Sequence, residues 1–288
     1  MPVNDRTVRG LRAKVPQAGA DWAGDGQVAG RAGSVAAMTA LEQPVAGRWR
    51  VEQNDCVRFL ASLPDGSVDV ITTDPAYSGM NQHMSFGHGR IVGRYGDADN
   101  ASWFTEFRDD PATFLAFLRE CHRALADGGH IYVMFDSFSL LSLGHLMREV
   151  FAVKNLIVWD KVNLGMGHYF RRRHETIVFA TKGHRRLSRR DLPDVWQVKR
   201  IHRAVYPTQK PVALFSHMLA GSAEPGMTVC DPFVGSGSSA VAALKAGCGV
   251  VAADVDPRAV QLASDRCIAV AAGLPDPGER PATVHSRP

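Results

Sequence analysis

The sequence predicts an α/β protein with helices on both faces of a mostly parallel, seven-stranded sheet. Short β-branched runs alternate with longer amphipathic runs across residues 45–272. Four of the short runs stop at or just before an aspartate, and one of them leads into a glycine-rich turn that opens a helix.

Taken in order, the first strands are expected at Arg48–Gln53 and Val68–Thr72. A helix over Ala112–Ala126 precedes a strand at His130–Phe135. A second helix, Phe138–Phe151, precedes strands at Leu156–Trp159 and Thr176–Ala180. The remainder reads helix Pro211–Gly221, strand Met227–Cys230, helix Ser238–Ala246, strand Gly249–Ala253 and helix Pro257–Ala272. Residues 1–44 are rich in Gly, Ala and Arg with weak periodicity, and are expected to form a disordered or loosely held basic arm. Residues 273–288 hold Pro275, Pro277, Pro281 and Pro288, which predicts an irregular tail. The stretch 78–102, rich in Gly, His and Asn, is too irregular for a simple turn, and a loop of that length is more often functional than idle.

Bulk composition narrows the class. The 288 residues are 45% hydrophobic, enough for a sizeable core. No apolar run approaches the ~18–20 residues of a membrane span, and the N-terminus lacks a signal-peptide layout. Five scattered cysteines without a C-x-x-C pair argue against zinc or disulfides and for a reducing, cytoplasmic compartment. The net charge of +4 is unevenly spread: Lys161 through Lys210 holds 13 Lys or Arg against three acids, so the rest of the chain is net negative. That segregation is the footprint of a surface for a polyanion.

The aspartates carry the chemistry. RWRVEQND ends at Asp55, VDVITTD at Asp74, MTVCD at Asp231 and VVAAD at Asp254. In an open α/β sheet the ligand sits beyond the carboxyl ends of the strands, so four parallel strands would crowd these carboxylates along one edge. In MTVCDPFVGSGSSAVAAL, Gly235 and Gly237 allow a tight turn with close ligand approach, and Ala240 lets the helix pack close to the sheet. Asp254 then stands where both ribose hydroxyls of a nucleoside could donate to it. The spacing G-x-G-x-x-A also serves nicotinamide dinucleotides, so by itself it indicates an adenosine-type cofactor without naming it. Asp74-Pro75-Ala76-Tyr77, directly after a strand, is suited to an exocyclic amine. The carboxylate and a main-chain carbonyl can each accept one N–H, freeing the nitrogen lone pair for an electrophile. Tyr77 offers a ring on which an extruded base could stack.

Three blocks carry a family resemblance over about Trp49 to Ala272. NDCVRFLASLPDGSVDVITTDPAY, NLIVWDKVNLGMGHYFRRRHETIVFATKG and YPTQKPVALFSHML with its following DPFVGSGSSAVAAL resemble the beta group of DNA amino-methyltransferases. In that group a permuted motif order places the catalytic tetrapeptide ahead of the cofactor turn. The resemblance implies a Rossmann-like S-adenosylmethionine-dependent methyltransferase fold. It further implies that Asp55, with Cys56 beside it, binds the cofactor's adenine and that Asp254 takes the ribose. Asp231, Phe233, Gly235 and Gly237 would line the methionine end with Lys210 nearby, and Asp74, Pro75, Ala76 and Tyr77 would hold the target base. Ala76 stands where the group usually has a second proline, Asp254 where it has Glu, and Tyr206 where His commonly precedes PTQKP.

The resemblance implies a site-specific methyltransferase acting on double-stranded DNA. A DPPY-like tetrapeptide favours adenine N6, and cytosine N4 is the alternative. Arg171, Arg172, Arg173, Arg185 and Arg186, with Arg189 and Arg190 in the same loop as the last two, are expected to contact phosphates. Sequence recognition is expected from residues 184–205 or 78–102, windows short enough to suggest a brief site or a homodimer sharing readers. A cognate restriction endonuclease is a further partner the family suggests. Rival readings are a nicotinamide-dependent oxidoreductase, a non-catalytic DNA-binding protein, and a methyltransferase acting on RNA or protein amines.

Overall fold

A computed structural model describes residues 48–77, 110–165, 169–202 and 204–279. The expected arm (1–44) and the 78–102 window lie outside the described residues, as do residues 280–288 of the tail.

One eight-stranded sheet organises the described residues. Its strands are β1 (Trp49–Gln53), β2 (Val68–Thr73), β3 (Leu125–Phe135), β4 (Ala152–Asp160), β5 (His174–Thr181), β6 (Val195–Gln197), β7 (Thr228–Asp231) and β8 (Gly249–Asp254). The spatial order is β1-β8-β7-β2-β3-β5-β4-β6. Every pairing is parallel except the two made by β5, which runs against β3 and β4. All seven expected strands form. The eighth, β6, is three residues long and lies inside the window expected to read DNA, where no strand was anticipated. A three-residue strand shows too little alternation to announce itself.

The helices are α1 (Cys56–Ser62), α2 (Pro111–Ala124), α3 (Ser137–Leu143), α4 (Met147–Val150), α5 (Val212–Leu219), α6 (Ser238–Lys245) and α7 (Pro257–Ala271). At seven residues, α1 is too short for a helical period to be legible, and Asp55 starts it by capping the amides of Val57 and Arg58. The single helix expected at Phe138–Phe151 is instead α3, a 3-10 turn (Gly144–Leu146) and α4. Gly144 sits at the break, where glycine lowers helix stability by about 1 kcal/mol relative to alanine.

Two cores sandwich the sheet. One joins Phe59 and Leu60 of α1 with Phe114, Phe117 and Leu118 of α2 and Ile71 of β2. The other joins Phe215 and Met218 of α5, Val241 of α6 and Ala263 of α7 with Val70 of β2. Neighbouring Val70 and Ile71 therefore point to opposite faces, as the strand's two-residue period demands. Both faces are covered, so the open side for a ligand is the carboxyl edge. Among the described residues no helix is long and apolar enough to cross a membrane.

Candidate active site

The strands β1, β8, β7 and β2 are consecutive across the sheet; β7 and β8 end in Asp231 and Asp254, and Asp55 and Asp74 follow within two residues of the ends of β1 and β2. Asp55, Asp254, Asp231 and Asp74 thus line one cavity of about 370 Å³ at the carboxyl edge. Pro75, Ala76, Cys56, Phe233, Gly235 and Lys210 line it as well.

Each carboxylate is held differently. Both capping bonds of Asp55 fall on Oδ1. Asp231 is buried; its Oδ1 accepts the Phe233 amide at 3.0 Å and its Oδ2 accepts the Ser239 hydroxyl. Burial dominates these bonds and pushes its pKa up to about 7. Asp254 accepts the Gly235 amide at 2.9 Å on Oδ2 and the Asp256 amide at 3.0 Å on Oδ1. Burial raises its pKa too. In this way β8 fixes the turn after β7. Gly235 occupies the left-handed region (φ +48°), which an L side chain would resist.

The Asp74 carboxylate accepts a hydrogen bond from the Lys210 ammonium. Burial raises the Asp74 pKa, Lys210 pulls it back, and the net direction is upward. Lys210 also lies 3.9 Å from Glu175, which bonds Lys161 at 3.0 Å. Burial works against the charge on Lys210, yet the two carboxylates raise its pKa above the ordinary lysine value. For Glu175 burial is likewise outweighed, by Lys210 and Lys161, and its pKa falls. Sequence reasoning placed Lys210 near the methionine end of a cofactor; the structure pairs it with the proposed catalytic carboxylate. Nothing in the sequence marks Glu175 or Lys161 for the site, since a charged residue flanking an apolar run such as IVFA ordinarily faces solvent.

The approach to Lys210 is braced. Thr208, a cavity residue, has φ +59°, unfavourable for a β-branched side chain. The Tyr206 hydroxyl donates to Asp256 at 3.2 Å, and Gln209 Nε2 donates to the Gly278 carbonyl at 3.0 Å. Gly278 adjoins a buried ion pair: Arg266 Nε and Nη2 bond the Asp276 carboxylate at 2.8 and 2.7 Å. Arg266 Nη1 also donates to the Ser236 carbonyl and Ser238 hydroxyl. Residues 273–279, the described part of the expected tail, contain no helix or strand, yet they clamp both cavity loops.

Three of the expected site residues stand apart from the cavity. Tyr77 does not line the cavity: it is 2% exposed, stacked on Phe135 at 5.5 Å, and its hydroxyl donates to the Met134 carbonyl at 3.0 Å. Gly237 faces away from the cavity lining. A Cβ there would stand 2.7 Å from Ala263 Cα, so this glycine admits α7 against the start of α6. Arg185 belongs to the opposite edge of the sheet, where its guanidinium donates to the carbonyls of Gly128 (2.7 Å) and Ser222 (3.0 Å). Exposed Arg186 adjoins it. The eight residues of β5 carry the chain about 25 Å away from the edge where Asp74 stands.

Arg171, Arg172 and Arg173 do stand at the carboxyl edge, in the β4–β5 loop. Arg173 forms a two-pronged bond with Asp160, both arms 2.7 Å, that lowers the Asp160 pKa to about 2. Arg172 lies over the Phe138 ring at 5.2 Å, and Arg171 donates to the Gly165 carbonyl at 2.8 Å.

Comparisons with known proteins agree with this architecture. The type II methyltransferase M2.DpnII of Streptococcus pneumoniae is 27% identical over 236 residues, covering 74% of this chain and 87% of that protein. YubD of Escherichia coli (strain K12) is 31% identical over 201 residues, covering 69% and 81%. The solved structure of the cytosine-N4-specific PvuII DNA methyltransferase superposes with a TM-score of 0.59 at 14% identity, covering 78% and 88%, which speaks to the fold. A family model described as DNA methylase, of the N6/N4 methyltransferase type, matches residues 68–265, and the chain belongs to that family.

Proposed function

We propose that this DNA methyltransferase modifies the N6 amine of adenine, using Asp74 as the group that receives the amine. The observation that carries this reading is the alignment of Asp55, Asp254, Asp231 and Asp74 on four consecutive strands around one cavity.

S-adenosylmethionine is the methyl donor, and the donor set of the cavity suits it. Its amino groups and ribose hydroxyls need acceptors, and its sulfonium and ammonium need negative charge; three carboxylates besides Asp74 supply both. A cavity of about 370 Å³ is on the scale of small-molecule sites. Asp55 would take the adenine amine, Asp254 the ribose, and Asp231 with Phe233 and Gly235 the methionine end. When bound, the cofactor supplies an electrophilic methyl.

The chain's own residues do the rest. Lys210 bonds Asp74 through Oδ2, which leaves Oδ1 for one N–H of the target amine. A main-chain carbonyl of the tetrapeptide accepts the other. Asp74 would take up the proton as the new N–C bond forms and the donor's methyl–sulfur bond breaks, the sulfur leaving as a neutral thioether. Tyr77 anchors the turn from below through Met134 and Phe135. Glu175 and Lys161 keep the Lys210 ammonium in place.

The test is transfer of labelled methyl from S-adenosylmethionine to unmethylated genomic DNA, followed by nucleoside mass spectrometry. N6-methyladenine is expected with the natural chain. Asp74→Ala should lower the rate by about 10²–10⁴-fold while cofactor binding, followed by calorimetry, persists. N4-methylcytosine would keep the chemistry and replace the base; undiminished transfer by Asp74→Ala would remove Asp74 from its role.

A further inference from the structure

The loop joining β4 to β5 leaves the sheet at the carboxyl edge. Its base is closed by main-chain bonds, from the Lys161 amide to the Arg173 carbonyl at 2.8 Å and from the Gly165 amide to the Arg172 carbonyl at 2.7 Å. Beyond that closure Tyr169 and Phe170 are 95% and 102% exposed. Two successive aromatic rings that bury nothing add nothing to the core, yet they stand immediately before Arg171, Arg172 and Arg173. Phe138 and Leu141 of α3 add further exposed apolar surface, and Arg172 covers Phe138.

The loop's position is set by register. Thr73, next to Asp74, pairs with Val133, and two residues further along β3 Phe135 pairs with Thr176 of β5. Glu175, the next residue outward, reaches Lys210 on Asp74. Two strand spacings, about 10 Å, separate the strand of Asp74 from the strand that carries the loop. That distance is comparable to the ~12 Å width of a DNA major groove. Exposed rings beside arginines match the chemistry of nucleic acid: guanidinium groups meet phosphates while aromatic or apolar side chains enter a base step.

We propose that Tyr169 and Phe170 form an aromatic wedge that enters duplex DNA beside the target and fills the space vacated when the base is extruded toward Asp74. The partner is double-stranded DNA, and the assignment rests on the DNA methylation proposed above. Arg171 braces the adjoining phosphate. Extrusion costs stacking and pairing, and a ring placed in the gap returns part of that stacking.

The experiment maps methylated positions on genomic DNA treated with the natural chain, then compares two synthetic duplexes carrying the mapped site. One is fully paired; the other has an abasic position opposite the target, so that extrusion is already eased. The double variant Tyr169→Ala/Phe170→Ala should lose at least about tenfold in kcat/KM on the paired duplex and far less on the abasic one. Phe170→Trp should retain activity on both. With 2-aminopurine at the target, the natural chain should raise its fluorescence on binding and the double variant should not. Equal activity of the double variant on the paired duplex overturns the wedge alone. An equal loss on both duplexes, with a changed sedimentation coefficient in the absence of DNA, also overturns it and assigns the rings to a contact between copies. A natural chain that leaves genomic DNA unmethylated overturns the methylation reading and the wedge with it.

Discussion

Two clusters of arginine, at 171–173 and 185–190, lie a dozen residues apart and look alike in sequence, yet they sit at opposite edges of the sheet. At the carboxyl edge, Arg171 is exposed and donates to a loop carbonyl. At the other edge, Arg185 is a clip whose hydrogen bonds join the start of β3 to the end of α5. His130 beside it bonds Ser222 at 2.7 Å and the Arg185 carbonyl at 3.0 Å. Burial there lowers the His130 pKa to about 4, so this edge is held by a neutral imidazole. The same residue type stands exposed on a loop at one edge and fastens the protein internally at the other. Charge counted along a sequence cannot separate the two, because one strand crossing between them redistributes it.

That contrast can be broken most directly at Arg185. Arg185→Ala should cost about 1–3 kcal/mol in urea unfolding, from the loss of charge-assisted bonds to two carbonyls, with DNA affinity unchanged. Undiminished stability with weakened DNA binding would return Arg185 to the phosphate-contact class. A second effect sharpens the chemistry of the carboxyl edge. The Asp231 pKa is raised from 3.8 to about 7 in the folded state, so the folded chain holds a proton that the unfolded chain releases earlier. Its contribution to stability is therefore full below about pH 4 and lost as the pH climbs to about 7. Melting temperatures across that window should fall more for the natural chain than for Asp231→Asn; parallel curves would mean that Asp231 titrates normally. The smallest effect belongs to Arg171. Arg171→Ala should leave stability within about 0.5 kcal/mol and lower the slope of log affinity against log salt by about 1. An unchanged slope, read by fluorescence anisotropy, would take Arg171 away from the phosphates.

Much of this arrangement was legible beforehand for a physical reason. Parallel strands buried on both faces read as unbroken apolar runs, and an aspartate that ends such a run must lie at the carboxyl edge. Asp74, Asp231 and Asp254 could thus be placed together from sequence, and Asp55 joins them at the end of an alternating run, WRVEQ, that forms the edge strand. The Glu175–Lys210–Asp74 chain could not, because it depends on β5 reversing direction, which no residue of HETIVFAT declares. Tyr77 misled for a related reason: an aromatic after a strand can face a ligand or a core, and only the presence of Phe114 and Phe135 decides. The Arg266–Asp276 pair was hidden because an arginine in an amphipathic helix ordinarily faces water.

That last pair has a bearing on how the molecule is made. The cavity walls come from residues between 54 and 256, but the guanidinium behind them finds its counter-ion only at 276. During synthesis every strand of the sheet can emerge and pair while Arg266 still lacks Asp276, and interior ions without a partner are strongly disfavoured. The ligand pocket should therefore set last. A nascent or clipped chain that ends short of Asp276 would own every wall residue of the pocket and still lack the counter-ion of the arginine that braces it.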